Sequence, residues 1–184
     1  MKYSIAWLLT HLAEGNRVKY LFFWGHTPKS ENAVDKSCFS QWFPSPFEHN
    51  GNTYLTAEHW MMAEKARLFN DEEALAHILK VEHPAEAKEW GRKVRGFDQL
   101  TWEVHRMEIV VKGNVLKFGQ HEDLRTFLLQ TGERVLVEAS PRDRIWGIGM
   151  GQNNPAAEHP EQWRGRNLLG FALMETRDQL SEPI

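Results

Sequence analysis

The sequence predicts a mainly α-helical (α+β) domain: several packed helices with short strands and one hairpin. Three observations predict it. Helical periodicity with recognisable caps covers 56–69 and 98–118. β-Branched and aromatic residues gather only in short runs, at 18–24 and 135–139. Asn50-Gly51, between Phe47 and Tyr54, is the strongest short hairpin signal. The 184 residues are 41% hydrophobic and 26% charged, as in ordinary globular proteins. They suit one domain spanning 1–184 with its core over about 20–180. Repeats and low-complexity runs are absent.

The elements follow in order. Residues 3–13 form a short amphipathic helix with Ile5, Leu8, Leu9 and Leu12 on one side. Val18 to Trp24 reads as a strand. Gly25 to Lys36 is a polar loop. Phe39 to Phe47, aromatic with two prolines, cannot be a central strand and reads as an irregular wall. The hairpin delivers the chain to a helix over 56–69 capped by Thr56. Helices over 71–80 and 84–94 follow, the second with Pro84 in its first turn. Asp98 caps a long helix to Phe118. Its apolar residues form two lines, Leu100, Val104, Met107, Val111, Val115 and Phe118, and nearly opposite Trp102, Ile109 and Leu116. That pattern predicts a helix sandwiched on both sides. A helix over 121–131 ends at Gly132, a strand covers 135–139, and Ser140 to Asp143 is a turn. Glycines 147, 149 and 151 permit close backbone approach, to a ligand in the functional reading. A polar loop over 152–165 precedes the closing helix, 166–180.

Charge and cysteine usage narrow the function classes. The net charge of −3 gives no global basic footprint for nucleic acid. Arg92, Lys93 and Arg95, and Arg142 with Arg144, are local basic clusters that suit either phosphate or solvent. The single cysteine, Cys38, allows no internal disulfide and fits a reducing cytoplasm; a buried thiol is the favoured reading over a nucleophile. No stretch approaches the roughly 20 apolar residues of a membrane span. The apolar Ile5 to Leu9 is too short for a signal segment. The nine histidines contain no His-Glu-x-x-His and no i, i+4 pair, so no metal site is expected. Phosphate-loop, dinucleotide and nucleophile-elbow patterns are absent, and no cofactor is implied.

The helix over 56–69 carries the chemistry-bearing anomaly. Glu58, Met61, Met62, Lys65, Ala66, Leu68 and Phe69 fall on one side; His59, Ala63, Glu64 and Arg67 fall on the other. Glu58 and Lys65 lie inside the apolar stripe, pointing within about 20° of each other two turns apart. An inward carboxylate and amine either pair to hold the fold or do chemistry. Eight tryptophans is an unusual number; some must be core, and an excess of indoles also suits a pocket that stacks a flat ring. Glu58, Lys65 and Asp143 with Trp24, Trp42, Trp102 and Trp146 would suit cleavage at an anomeric carbon bearing a heterocycle.

Several blocks together resemble the NADAR family of YbiA-like proteins. They are Phe23-Trp24-Gly25, Phe39-Ser40-Gln41-Trp42, Thr56-Ala-Glu58-His-Trp-Met-Met-Ala-Glu-Lys65-Ala and Gly91-Arg92. Further blocks are Trp102, Lys117-Phe118-x-Gln120, Leu136-Val-Glu138-Ala-Ser-Pro-x-Asp143-x-x-Trp146-Gly147 and Trp163-x-Gly165-x-Asn167-Leu-Leu-Gly170. The resemblance implies a mainly helical fold and N-glycosidase chemistry. It implies Lys65, Glu58 and Asp143 as catalytic residues, with Lys65 the amine that forms a Schiff base with opened ribose. It implies substrate contacts at Trp102, Trp146, Trp42, Trp24, Gly25, Ser40, Glu138 and Asn167. The implied substrate is a small phosphoribosyl compound, an early riboflavin-biosynthesis intermediate; the other branch of the family removes ADP-ribose from guanine in nucleic acid. The acidic net charge favours the small molecule. Many family members have Asn where Gln41 stands, so substrate choice is the expected point of divergence, with the 25–37 loop and the 39–47 wall as its determinants.

Overall fold

A computed structural model describes residues 1–30 and 33–181. In chain order these form α1 (Ile5–Ala13), β1 (Tyr20–Phe23), β2 (Phe47–His49), β3 (Asn52–Tyr54) and α2 (Ala57–Leu68). Then come α3 (Glu72–Ile78), α4 (Pro84–Arg92), α5 (Gln99–Gln120), α6 (Glu122–Leu129), β4 (Val135–Glu138) and α7 (Leu168–Ser181). Single 3-10 turns occupy Lys36–Phe39 and Pro160–Gln162. This is the helix-dominated architecture the sequence predicts. Part of the loop expected over 25–36, residues 31–32, lies outside the described residues. Among the described residues no helix is long and apolar enough to cross a membrane. The chain forms two compact units, Gln41–Glu122 and Met1–Ser40 with Asp123–Ile184.

In the unit Gln41–Glu122, the hairpin turns through Asn50 and Gly51, both left-handed at φ 50 and 77. That is the type I′ geometry which keeps β2 and β3 in register from Phe47↔Tyr54 to His49↔Asn52. Thr56 caps α2 by accepting from the His59 N–H. Helix α2 is packed by α3, α4 and α5. The expected outward positions His59 and Ala63 are therefore buried, at 3% and 0% exposure, which corrects the two-sided reading of this helix. The pattern misleads because α2 is a central helix, and its polar residues are satisfied internally. His59 Nδ1 lies 2.8 Å from the Thr56 hydroxyl, and Nε2 donates to the Val81 carbonyl at 3.2 Å.

Burial holds the His59 pKa below its ordinary value of 6.5. The unfolded chain therefore takes up a proton at this residue where the folded chain does not. Stability is expected to fall as pH drops below about 6.5. A His59→Gln variant, which keeps a donor toward Val81, should lack that part of the loss. Thermal midpoints measured from pH 7.5 to 5 in both proteins check this; parallel curves would remove His59 from the pH dependence.

Helix α5 is also simpler than its sequence pattern. Trp102, Arg106, Val110, Asn114 and Lys117 line one buried face, with Met107, Val111 and Phe118 beside it. Leu100 and Val104 are 73% and 76% exposed, so the expected sandwich is corrected to a one-sided helix. α2 and β2 cover one face, and polar side chains rather than a second apolar line complete it. The contact with α2 is close because Gly113 has no side chain. A Cβ there would sit 2.3 Å from the Trp60 ring, whose Nε1 donates to the Ile109 carbonyl at 2.8 Å.

In the other unit, β1 and β4 pair in parallel from Tyr20↔Val135 to Phe23↔Glu138. Val135, Leu136 and Val137 are fully buried, and α7 packs on β4. A strand buried on both faces reads as a continuous apolar run, as this one does. Cys38 is buried in the 3-10 turn, as the bland reading of the thiol expects. Of the glycines at 147–151, Gly147 serves the chain's own backbone, whereas a Cβ on Gly151 would meet nothing within 4 Å. A Cβ on Gly147 would sit 2.9 Å from the Glu138 carbonyl and 3.1 Å from that of Asp143. On Gly165 it would meet the Gly147 carbonyl at 2.3 Å. At Gly147 the close approach expected for a ligand is thus made by the chain's own backbone.

Candidate active site

Each unit assembles one cluster of the residues singled out from sequence. In Gln41–Glu122 the centre is Lys65, in the last turn of α2. Its Nζ donates to the Gly91 carbonyl at 2.7 Å. It lies 4.2 Å from the centre of the Phe97 ring and 5.6 Å from that of Trp102. Burial pushes the Lys65 amine below its ordinary pKa of 10.5. The ring faces favour the ammonium and temper that shift, as does the carbonyl. A half-buried amine of lowered basicity, bordered by two aromatic rings, is the form in which lysine attacks carbonyl carbon.

Two residues build this setting that sequence reasoning left without a role. Phe97 and Trp102 occupy the positions before the Asp98 cap and four into α5. That pair is the hydrophobic staple of a helix start, and the staple spacing was the available signal. Phe97 is held in turn. Asp71 accepts from the Arg95 backbone N–H at 2.8 Å and its guanidinium at 2.7 Å, and Gly96 then turns at φ 69. The Arg95 guanidinium keeps the Asp71 carboxyl well below the usual carboxylate range. Gly91 is the second residue. A Cβ there would sit 2.0 Å from the Met62 sulfur, so its absence lets α4 approach α2 and aim the Gly91 carbonyl at Lys65. Gly91→Ala should destabilise the fold by about 1–3 kcal/mol, the cost of overpacking. It should also lower turnover by moving that carbonyl. Thermal melts and rates on one preparation check both; an unchanged melt would mean Met62 simply swings away.

Glu58 lies in the first turn of α2, 3% exposed, and its N–H donates to the Gln41 carbonyl at 2.9 Å. It stands about 10 Å along the axis from Lys65. The positive end of the helix dipole favours a carboxylate there. Gln41 also accepts, through Oε1, from the Asn114 amide at 3.1 Å, which braces the α2 start against α5. Trp42 is half-buried, edge-on to His83 at 6.0 Å with the Lys88 amine 5.8 Å from its ring.

The other unit gathers its candidates at the carboxyl ends of the parallel strands. Trp24 follows β1 and is 61% exposed; Gly25 then adopts φ 86. Glu138 ends β4 beside them in register with Phe23. Its N–H donates to Asn167 Oδ1 at 2.9 Å, while Asn167 Nδ2 donates to the Leu136 carbonyl at 2.9 Å. Asn167 is fully buried and left-handed at φ 52, so it braces β4 and thereby positions Glu138. Asp143 closes the following turn. Its Oδ1 accepts from the N–H groups of Ile145 and Trp146 at 2.8 and 2.7 Å. Oδ2 takes part in none of the described hydrogen bonds. Trp146 is half-buried next to it. Ser40 ends the 3-10 turn with its N–H donating to Ser37.

The NADAR domain family matches residues 22–181, most of the chain and parts of both units. An N-glycosidase of Acanthamoeba polyphaga mimivirus is 42% identical over 166 residues, covering 88% of this chain and 96% of that protein. The N-glycosidase YbiA of Escherichia coli is 34% identical over 152 residues, covering 83% of this chain and 84% of YbiA. The NMR structure of E. coli YbiA superposes with a TM-score of 0.71 at 30% identity, covering 90% of this chain and 87% of that one. The desolvated lysine and the matched motifs thus sit in a shared fold, and the chain belongs to the NADAR family of N-glycosidases.

Proposed function

We propose that this N-glycosidase cleaves the bond between C1′ of a phosphorylated ribose and an amine of a small pyrimidine, of the kind formed early in riboflavin biosynthesis. The observation that carries the reading is the Lys65 amine, lowered in pKa by burial and bordered by Phe97 and Trp102. In this mechanism the neutral amine attacks C1′ and forms a C–N bond there. The C1′–base bond breaks, and the departing nitrogen takes a proton from a carboxylic acid. Glu58 and Asp143 are the two candidates for that acid; the other stabilises developing positive charge. The resulting ammonium returns one proton to the carboxylate; the C1′–O4′ bond then breaks, O4′ takes the second proton, and an imine joins Lys65 to the opened ribose. One water hydrolyses it to the sugar aldehyde and restores the amine. Trp102 walls the base. We place the reaction in the cytoplasm, in keeping with the single reduced cysteine.

A direct assay decides the substrate. The protein is incubated separately with a ribosylaminopyrimidine phosphate and with ADP-ribosylated guanine in DNA, and free base is followed. Release from the pyrimidine alone is the expected result. Release from guanine alone would transfer the reading to nucleic acid, and release from neither would leave a binding module.

A further inference from the structure

We propose that the cavity between α1, the residues 129–135 and α7 binds a phosphate-bearing ligand of nucleotide size, at a site separate from the catalytic residues. The cavity measures about 930 Å³. That is the size of a small-molecule site. None of Lys65, Glu58, Asp143 or the tryptophans assigned to substrate lines it. Trp7, His11, Arg17 and Lys19 precede the 22–181 region that matches the family.

Its charge is the first argument. Five basic side chains face it against two acidic ones, in a chain whose net charge is −3. One of the acids is already engaged. Asp178 accepts from the Lys2 amine and the Tyr3 hydroxyl, each at 2.8 Å. The other, Glu133, is solvent-exposed.

Arg177 is the second argument. It is 6% exposed, and its described hydrogen bonds go to neutral groups: Nη1 donates to Thr131 Oγ1 at 2.8 Å and to the Arg134 carbonyl at 2.9 Å. Burial pushes its guanidinium below the ordinary range. The Asp178 and Glu133 carboxylates and the Tyr3 hydroxyl also act on it electrostatically, and a phosphate in the cavity would add a charge-assisted hydrogen bond to a cation whose described hydrogen bonds go to neutral groups. Arg17, Lys19 and Arg134 add exposed donors at the same cavity. The ring wall sets the ligand's other half. His11 stacks on Trp7 at 5.3 Å between centroids and 16° between planes, a flat half-buried surface against which a base can lie.

Calorimetric titration with adenosine 5′-monophosphate and with inorganic phosphate tests the site in the full chain. The nucleotide should bind wild type and Lys65→Ala equally, which separates this cavity from the catalytic lysine. The double variant Arg17→Glu with Lys19→Glu, at exposed positions, should keep its thermal midpoint and lose about tenfold or more in affinity. Trp7→Leu should weaken the nucleotide and leave phosphate unchanged. Binding lost with Lys65→Ala, or untouched by the charge reversal, would overturn the proposal, as would no binding at millimolar nucleotide. Phosphate binding as tightly as the nucleotide would overturn the nucleotide-sized ligand.

Discussion

Lys65→Ala should lower turnover by a factor on the order of 10³ or more while leaving the fold intact. The expectation follows from the setting of the amine. Its hydrogen bond to Gly91 and its two ring contacts are interactions that alanine loses without leaving a buried charge. The residue is half-buried, so truncation opens little void. The chemical signature is sharper than the rate. Borohydride added during turnover should fix the sugar to the wild-type protein as a mass adduct, mapped to Lys65, and should fix none to Lys65→Ala. Lys65→Arg is the companion variant, because it keeps a cation near Phe97 and Trp102 but offers no nucleophilic amine. The pH profile carries the third arm. Burial lowers the amine's pKa, so the deprotonated fraction rises at lower pH than for a free lysine. The alkaline-rising limb of kcat should have its midpoint below the ordinary 10.5. Undiminished turnover in Lys65→Ala, or an adduct surviving in it, removes the lysine from the mechanism.

The legible features of this chain are those written in local chemistry. Thr56 and Asp98 cap helices because their oxygens reach backbone N–H groups three residues on. Asn50-Gly51 turns because both residues tolerate positive φ. Lys65 was legible as inward because helical phase depends on spacing alone. What was not legible depends on which element packs where. The outward pattern of His59 and Ala63 failed because three helices surround α2. Leu100 and Val104 look like core by periodicity, yet nothing in one sequence says that their side of α5 stays open. Gly91 and Gly113 are helical glycines whose purpose lies in a neighbour's sulfur and a neighbour's indole. Asn167 carried a family expectation of substrate contact, but its amide is engaged with the backbone of β4, a role that only the β4–α7 packing defines. Spacing thus located the amine, and tertiary contacts supplied its carbonyl partner and the Phe97 wall.

Asp143 separates a structural carboxylate from a chemical one, because its two oxygens have different jobs. Oδ1 accepts from the N–H groups of Ile145 and Trp146 and so shapes the turn that presents Trp146. Asparagine reproduces that acceptor. Asp143→Asn should therefore fold with an unchanged melting midpoint and lose only the ionisable oxygen. If Asp143 carries the acid–base step, turnover should fall by about 10²–10⁴, the usual contribution of such a group. Asp143→Ala loses both bonds as well, each about 0.5–1.5 kcal/mol net, so its melt should drop where that of Asn does not. The contrast between the two variants is the measurement. Equal melts with a large rate loss in Asp143→Asn assign the acid to Asp143. A loss of less than about tenfold in Asp143→Asn takes Asp143 out of the proton transfer and leaves Glu58 as its sole candidate. The same experiment on Glu58→Gln then reads the other carboxylate. Its position in the first turn of α2 predicts that the neutral variant loses the helix-dipole interaction, about 0.3–1 kcal/mol, so melt and rate are read together on that variant.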